Sequence, residues 1–258
     1  GGIAIGTNTY TYQDGGTKTA NGNASATAVT TTNQGILDRR AGSGNVAYVM
    51  NGGTVLATSI AIGAQASVDG SGGLALGAYN VVATGTNGTS GYAIGLGNSV
   101  AGSYGVALGT GNTANGLSST SIGTANQANG NTAISMGRQS YATGDFSIAM
   151  GNIATASGAN AIALGNTAGA ISNNSIALGA NADAGRSGGV ADVNAIAIGQ
   201  DTKAYAYSIA LGTGANADNS GYLRTDGGIA IGNDATAGNI KSGIAVGNSA
   251  NASLDNSV

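Results

Sequence analysis

Apolar residues along this chain recur in short triplets, each closed by a glycine. Tyr92–Gly95, Val106–Gly109, Thr120–Gly123, Ile134–Gly137, Ile148–Gly151, Ile162–Gly165 and Ile176–Gly179 share this form, and their glycines stand 14 residues apart six times running. A second column keeps the same phase: five residues past each glycine stands Val100, Ala114, Ala128, Ala142, Ala156, Ala170 or Ala184. Alternation of large and small at i and i+2 is the strand period. Fourteen residues are too few for two helices, and β-branched Ile and Val favour strands. Gly and Asn between the runs supply the positive φ of tight turns. The pattern predicts a flattened solenoid. Each coil is one period with two short strands and two turns, and coils stack in parallel about 4.8 Å apart.

The repeat extends over residues 60–258, and the chain reads as a single roll over 1–258. Beyond Gly179 the core glycines fall at Gly199, Gly212, Gly232 and Gly247, and Gly77 is followed by Gly95, so the step varies from 13 to 20. The extra residues are expected to bulge from one edge, at 79–90, 183–193 and 218–227. A first core, Ile3–Gly6, precedes the next, Ile60–Gly63, by 57 residues. Segment 7–59 between them has two readings. It is either degenerate coils, since 57 is close to four periods, or a loop or hairpin that leaves the roll and returns; the expectation is a mixture of the two, worn coils with one excursion near 33–55. The chain opens inside a core and closes on Asp255–Val258, the start of another, which points to a piece of a longer protein.

Composition narrows the chemistry. Only 7% of residues are charged, Gly numbers 48, and Cys, Pro, Trp and His are absent; every acidic residue is Asp. Missing Pro suits strands paired on both sides. Without His or Cys the usual general base and thiol nucleophile are gone, and no spacing singles out a carboxylate pair, so no catalytic residues are assigned. No metal site and no cofactor site is expected either. The Gly-rich runs have no following helix to cradle a phosphate. A net charge of −3 implies no nucleic-acid partner. No apolar run is long enough for a membrane helix.

Each triplet separates two faces of a strand. The bulky pair is expected to fill the coil interior, with Tyr92 packed there in one coil. The alanine between them then faces outward. A strand selective on both faces is typically buried on both, and a neighbouring copy would supply the cover. Ala107, Ala149, Ala163, Ala177, Ala197 and Ala210 are therefore expected at an interface between chains. A stripe of Ala on a monomer surface remains the other reading.

The repeat Asn174–Ala184, with its period and both columns, resembles the head repeat of trimeric autotransporter adhesins, the YadA-like family. That resemblance covers residues 60–258 and the first six. It implies an all-β, left-handed parallel β-roll with three chains around one axis. It also implies a place on the bacterial surface, with the outer membrane reached only through a C-terminal anchor that lies outside this chain. The partners implied are two further copies of the chain and host extracellular matrix proteins (collagen, fibronectin or laminin) or host cell receptors. Autoaggregation belongs to the same expectation. The alternative is an ice-binding or purely structural β-solenoid, although the position four after each glycine (Ser67, Val81, Ser99, Thr113, Gln127, Tyr141, Thr155, Gly169) lacks regular Thr ranks.

Candidate ligand contacts are Tyr79, Tyr104, Tyr141, Tyr205, Tyr207 and Tyr222, placed at turns or edges, with Arg186 and Arg224 in the bulges. Tyr and Arg are the residue types that most often anchor binding surfaces.

Overall fold

The computed structural model describes the strand backbones at 3–5, 9–11, 19–21 and 47–50, and residues 60–69, 72–83, 90–185, 194–205, 207–217, 227–237 and 243–252. These contain strands, turns and bends and no helix. The chain divides into two compact units, Gly1–Asn126 and Gln127–Val258. Each is a parallel β-solenoid in which successive coils add one strand to each of two sheets.

In the second unit the first sheet runs Ile134–Arg138, Ile148–Asn152, Ile162–Leu164, Ile176–Leu178, Ile196–Ile198, Ile209–Leu211, Ile229–Ile231 and Ile244–Val246. Every pair is in register on the repeat, as in Ile162↔Ile176, Ala163↔Ala177 and Leu164↔Leu178. The second sheet stacks Gln127–Ala128, Tyr141–Ala142, Thr155–Ala156, Gly169–Ala170, Asp183–Ala184, Lys203–Ala204 and Asn216–Ala217 in the same way. The first unit repeats this plan from Ile60–Ile62 to Thr120–Thr124 in one sheet, and from Ser67–Asp69 to Thr113–Ala114 in the other.

In the first sheet Ile3–Ile5 pairs in parallel with Ile60–Ile62. The second sheet gains strands from segment 7–59. Thr9–Thr11 pairs in parallel with Ala47–Met50, which pairs in parallel with Ser67–Asp69. Thr19–Asn21 folds back antiparallel on Thr9–Thr11.

Two constraints recur in every coil. At the core glycine the chain turns with φ in a region open only to glycine: Gly95 has φ +124°, and a Cβ there would lie 2.0 Å from the carbonyl oxygen of Gly109 in the next coil. Among the described residues, the backbone enters the left-handed region two residues after the core glycines and, in most coils, five before the next. Ala125, Ile153, Thr167 and Asn181 hold the first of these corners; Tyr104, Phe146, Asn160 and Tyr207 hold the second. Each coil is thus two half-coils, each turning its corner through one left-handed residue.

The interior is the reverse of the sequence expectation. Within a single chain Ala107, Ala149, Ala163, Ala177, Ala197 and Ala210 have 0% exposure. They point into the coil, so they leave no surface for another chain. The Ile and Leu flanking them point outward and are half-buried or exposed. Tyr92, expected inside, stands on this outer face and is exposed. The cause is the width of the coil: two sheets joined by such short corners lie too close together for facing Ile and Leu. Where Ser replaces Ala, the Ser121 hydroxyl donates to the Asn126 carbonyl at 3.0 Å and the Ser135 hydroxyl to the Ser140 carbonyl at 2.7 Å. A buried hydroxyl is tolerated when so partnered.

Candidate functional site

Three surfaces follow from this geometry, each described within one unit. The first is the outer face of the first sheet. In the second unit it carries two columns, one of Ile134, Ile148, Ile162, Ile176, Ile196, Ile209, Ile229 and Ile244, the other of Met136, Met150, Leu164, Leu178, Ile198, Leu211, Ile231 and Val246. In the first unit the corresponding columns are Ile60, Leu74, Tyr92, Val106, Thr120 and Ile62, Leu76, Ile94, Leu108, Ile122. These side chains are half-buried or exposed in the single chain. A contiguous apolar strip of this kind is rare on a monomer surface unless something covers it. Each further 40 Å² covered would contribute about 1 kcal/mol.

The second surface is formed by the corners. Tyr79, Tyr104 and Tyr207 all lie there, exposed and in the left-handed region, so the sequence placed them at turns correctly. Phe146 occupies the same kind of corner at φ 59° with 59% exposure, and sequence reasoning passed over it. Its signal was its place five before a core glycine, in register with Tyr104. On the second unit's corners polar side chains link coil to coil: Arg138 donates to Asn152 at 3.2 Å and Asn152 to Asn166 at 2.7 Å. Thr167 donates to Asn181, which donates to Asp201 at 2.8 Å.

The third is the outer face of the second sheet in the second unit. Tyr141 lies on this sheet, half-buried, rather than at a turn. Tyr205 follows the strand Lys203–Ala204, four strands further along the same sheet, and its hydroxyl donates to Asp183 Oδ2 at 3.1 Å. Tyr205, but not Tyr141, borders an open groove of about 470 Å³ that is also lined by Thr155, Gly169, Asp183 and Lys203. Arg186, Tyr222 and Arg224 fall outside the described residues. So do most positions of the predicted bulges. Of the described parts, Val81–Ala83 and Asp183–Ala184 keep the regular strand positions, and Gly185 departs from them with φ +93°.

A fourth feature is internal. In the first unit Asn80, Asn98, Asn112 and Asn126 are buried, each three residues past a core glycine. Asn98 Nδ2 donates to the Gly109 carbonyl at 2.8 Å, and Asn98 Oδ1 accepts from the backbone N–H and the side chain of Asn112. Asn80 and Asn112 repeat these bonds. This is a continuous amide ladder threading one corner of the stack. The sequence signal was the Asn at a constant offset from the glycine, and it was missed.

Among the described residues no group of His, Cys, Asp or Glu is arranged to hold a metal ion. The class these features define is a parallel β-solenoid that presents repeated surfaces along its stack. The profile of the YadA head domain repeat matches residues 57–80, 114–140, 128–154, 156–182, 193–215 and 241–258, more than half of the chain. The chain belongs to this family of adhesin heads. Among curated proteins none matches it.

Proposed function

We propose that three copies of this chain assemble through the outer apolar face of the first sheet and act as the head of an adhesin on the bacterial surface. The observation that carries the reading is the pair of large apolar columns (Ile in one; Met, Leu, Ile and Val in the other), unbroken over eight strands of the second unit. The interior already holds the alanines, so the large side chains are the ones left for a partner to cover. Self-association around one axis buries the same strip on every copy. The second sheet and the corners then remain open for attachment to host matrix proteins (collagen, fibronectin or laminin), to host cell receptors, or to heads on neighbouring cells. Attachment along a stack of similar surfaces is multivalent, so modest contacts sum to firm adhesion.

Sedimentation analysis over a dilution series tests the assembly. Fused to a trimeric coiled coil, the wild-type head is expected to resist separation by protease clipping of the linker. The Leu164→Asp and Leu178→Asp double variant is expected to fold and to fall apart into single chains. A wild-type head that separates equally readily would sink the reading. Binding of the trimer to immobilised collagen, fibronectin and laminin tests the attachment. Ice binding has no support on either outer face, since one carries Ile and Leu and the other has no regular Thr ranks.

A further inference from the structure

Most glycines of this solenoid have a local cause, either a positive φ or a carbonyl about 2 Å from where a Cβ would be. Gly169 has neither. It lies within the strand Gly169–Ala170, its φ is outside the left-handed region, and an added Cβ would meet only Asp183 Oδ1 at 3.8 Å and the Ile171 side chain at 3.8 Å. Glycine inside a strand costs about 0.5–1 kcal/mol relative to alanine. Such a residue often marks a place where a ligand approaches the backbone closely. Here it opens the floor of the groove on the second sheet.

The groove's walls show what would fit. In-register pairing sets Thr155 on one side of Gly169 and Asp183 on the other, with Lys203 one strand beyond. Carboxylate and ammonium on adjacent strands leave the site without net charge. Thr155, Asn181 and Asp183 offer acceptors and donors, Ile171 is apolar, and the Tyr205 ring forms a wall steadied by its bond to Asp183. Backbone groups in the floor are already used: Thr155 N–H donates to Ala168, Gly169 N–H to Ala182 and Asp183 N–H to Thr202. An extended peptide could not pair with them, so recognition falls to side chains. A volume of about 470 Å³ is of ligand-site size. Because the groove is open, a chain molecule can run through it.

We infer that the notch at Gly169 is a binding subsite for a neutral saccharide, with Asp183, Asn181 and Thr155 bonding its hydroxyls and Tyr205 facing a ring. Aromatic faces and paired carboxylate and amide groups suit a ligand that is at once hydroxylated and partly apolar. This goes beyond the protein contacts proposed above and does not require them.

Saturation-transfer NMR on the head, with a panel of lactose, N-acetyllactosamine, cellobiose and chitobiose as probes, tests it. Wild type is expected to bind at least one of them. Gly169→Thr fills the notch with a good strand former; it is expected to keep or raise the melting temperature and to weaken that binding by about tenfold or more, roughly 1.4 kcal/mol. Asp183→Asn, which keeps an acceptor for Tyr205, is expected to weaken it as well. No binding of any probe at millimolar concentration, or equal binding by wild type and Gly169→Thr, would overturn the inference. If the head bound a saccharide but no matrix protein, the attachment proposed above would fail and the subsite would stand.

Discussion

At the scale of single residues, the buried asparagines and the left-handed corners carry the specific physics. Asn98 joins three coils: its side chain bonds to the coil before through Asn80, to its own coil at Ile94 and to the coil after at Gly109. Asn98→Ala would remove the partner of the Gly109 carbonyl and of the buried amide of Asn112. Each unsatisfied buried group costs about 1–3 kcal/mol, so a loss of about 2–3 kcal/mol is expected in denaturant unfolding, larger than for Asn152→Ala on the exposed ladder. Ile153 shows the opposite case. It is β-branched, 43% exposed, and held at φ 58°. A left-handed conformation of this kind costs about 1–2 kcal/mol for such a residue, and asparagine tolerates it better. Ile153→Asn is expected to stabilise the protein by about 1 kcal/mol, read as a rise in melting temperature. An unchanged or lower value would mean that the isoleucine has a packing role that outweighs the strain.

At the scale of the strand pair, the interior shows compensation between the two sheets. In the first unit Val68, Val82 and Val100 project from the second sheet, and glycine stands opposite. A Cβ at Gly73 would lie 2.6 Å from Val68, and one at Gly105 would lie 2.8 Å from Val100. In the second unit the same positions hold alanine facing alanine or serine, as in Ala156 with Ala161 and Ala142 with Ser147, all buried. The combined volume is what the gap between the sheets conserves. Ala156→Val alone is expected to destabilise by about 1–3 kcal/mol through overpacking. Adding Ala161→Gly should recover part of that loss, and a double variant no better than the single one would refute the compensation. The coil and its strands were legible in the sequence because the 14-residue period repeats the same local choices. Which face is interior was not legible. Alternation separates two faces, and both were apolar. The clue lay in tolerance: the outward column admits Tyr92 and Thr120, whereas the inward one admits nothing larger than Ala or Ser in these triplets.

At the scale of the whole molecule, stability in a solenoid is a sum over neighbouring coils. Deleting residues 152–165 removes one full period and joins Gly151 to Asn166 with every column in phase. This variant is expected to keep the β-sheet circular dichroism signal and cooperative unfolding. Deleting 153–165 removes one residue fewer, puts the following coils out of phase at the junction, and should cost several-fold more in stability. Equal behaviour of the two deletions would show that the period does not control the stack. The same additive architecture explains where the candidate sites lie. Corners and outer faces change in size and polarity from coil to coil, while the interior exchanges only small residues and Val within a conserved combined volume.

Period, strand alternation, corner positions and family were written in the residues themselves, because each coil meets the same short-range constraints on φ and on strand pairing. The tertiary structure alone decided which side chains face inward, how Val and Gly share the space between sheets, and where the Gly169 notch opens. Those outcomes depend on the distance between two sheets and on residues one coil away, fourteen or more positions apart in the chain. Such distances arise only when the coil has closed and stacked.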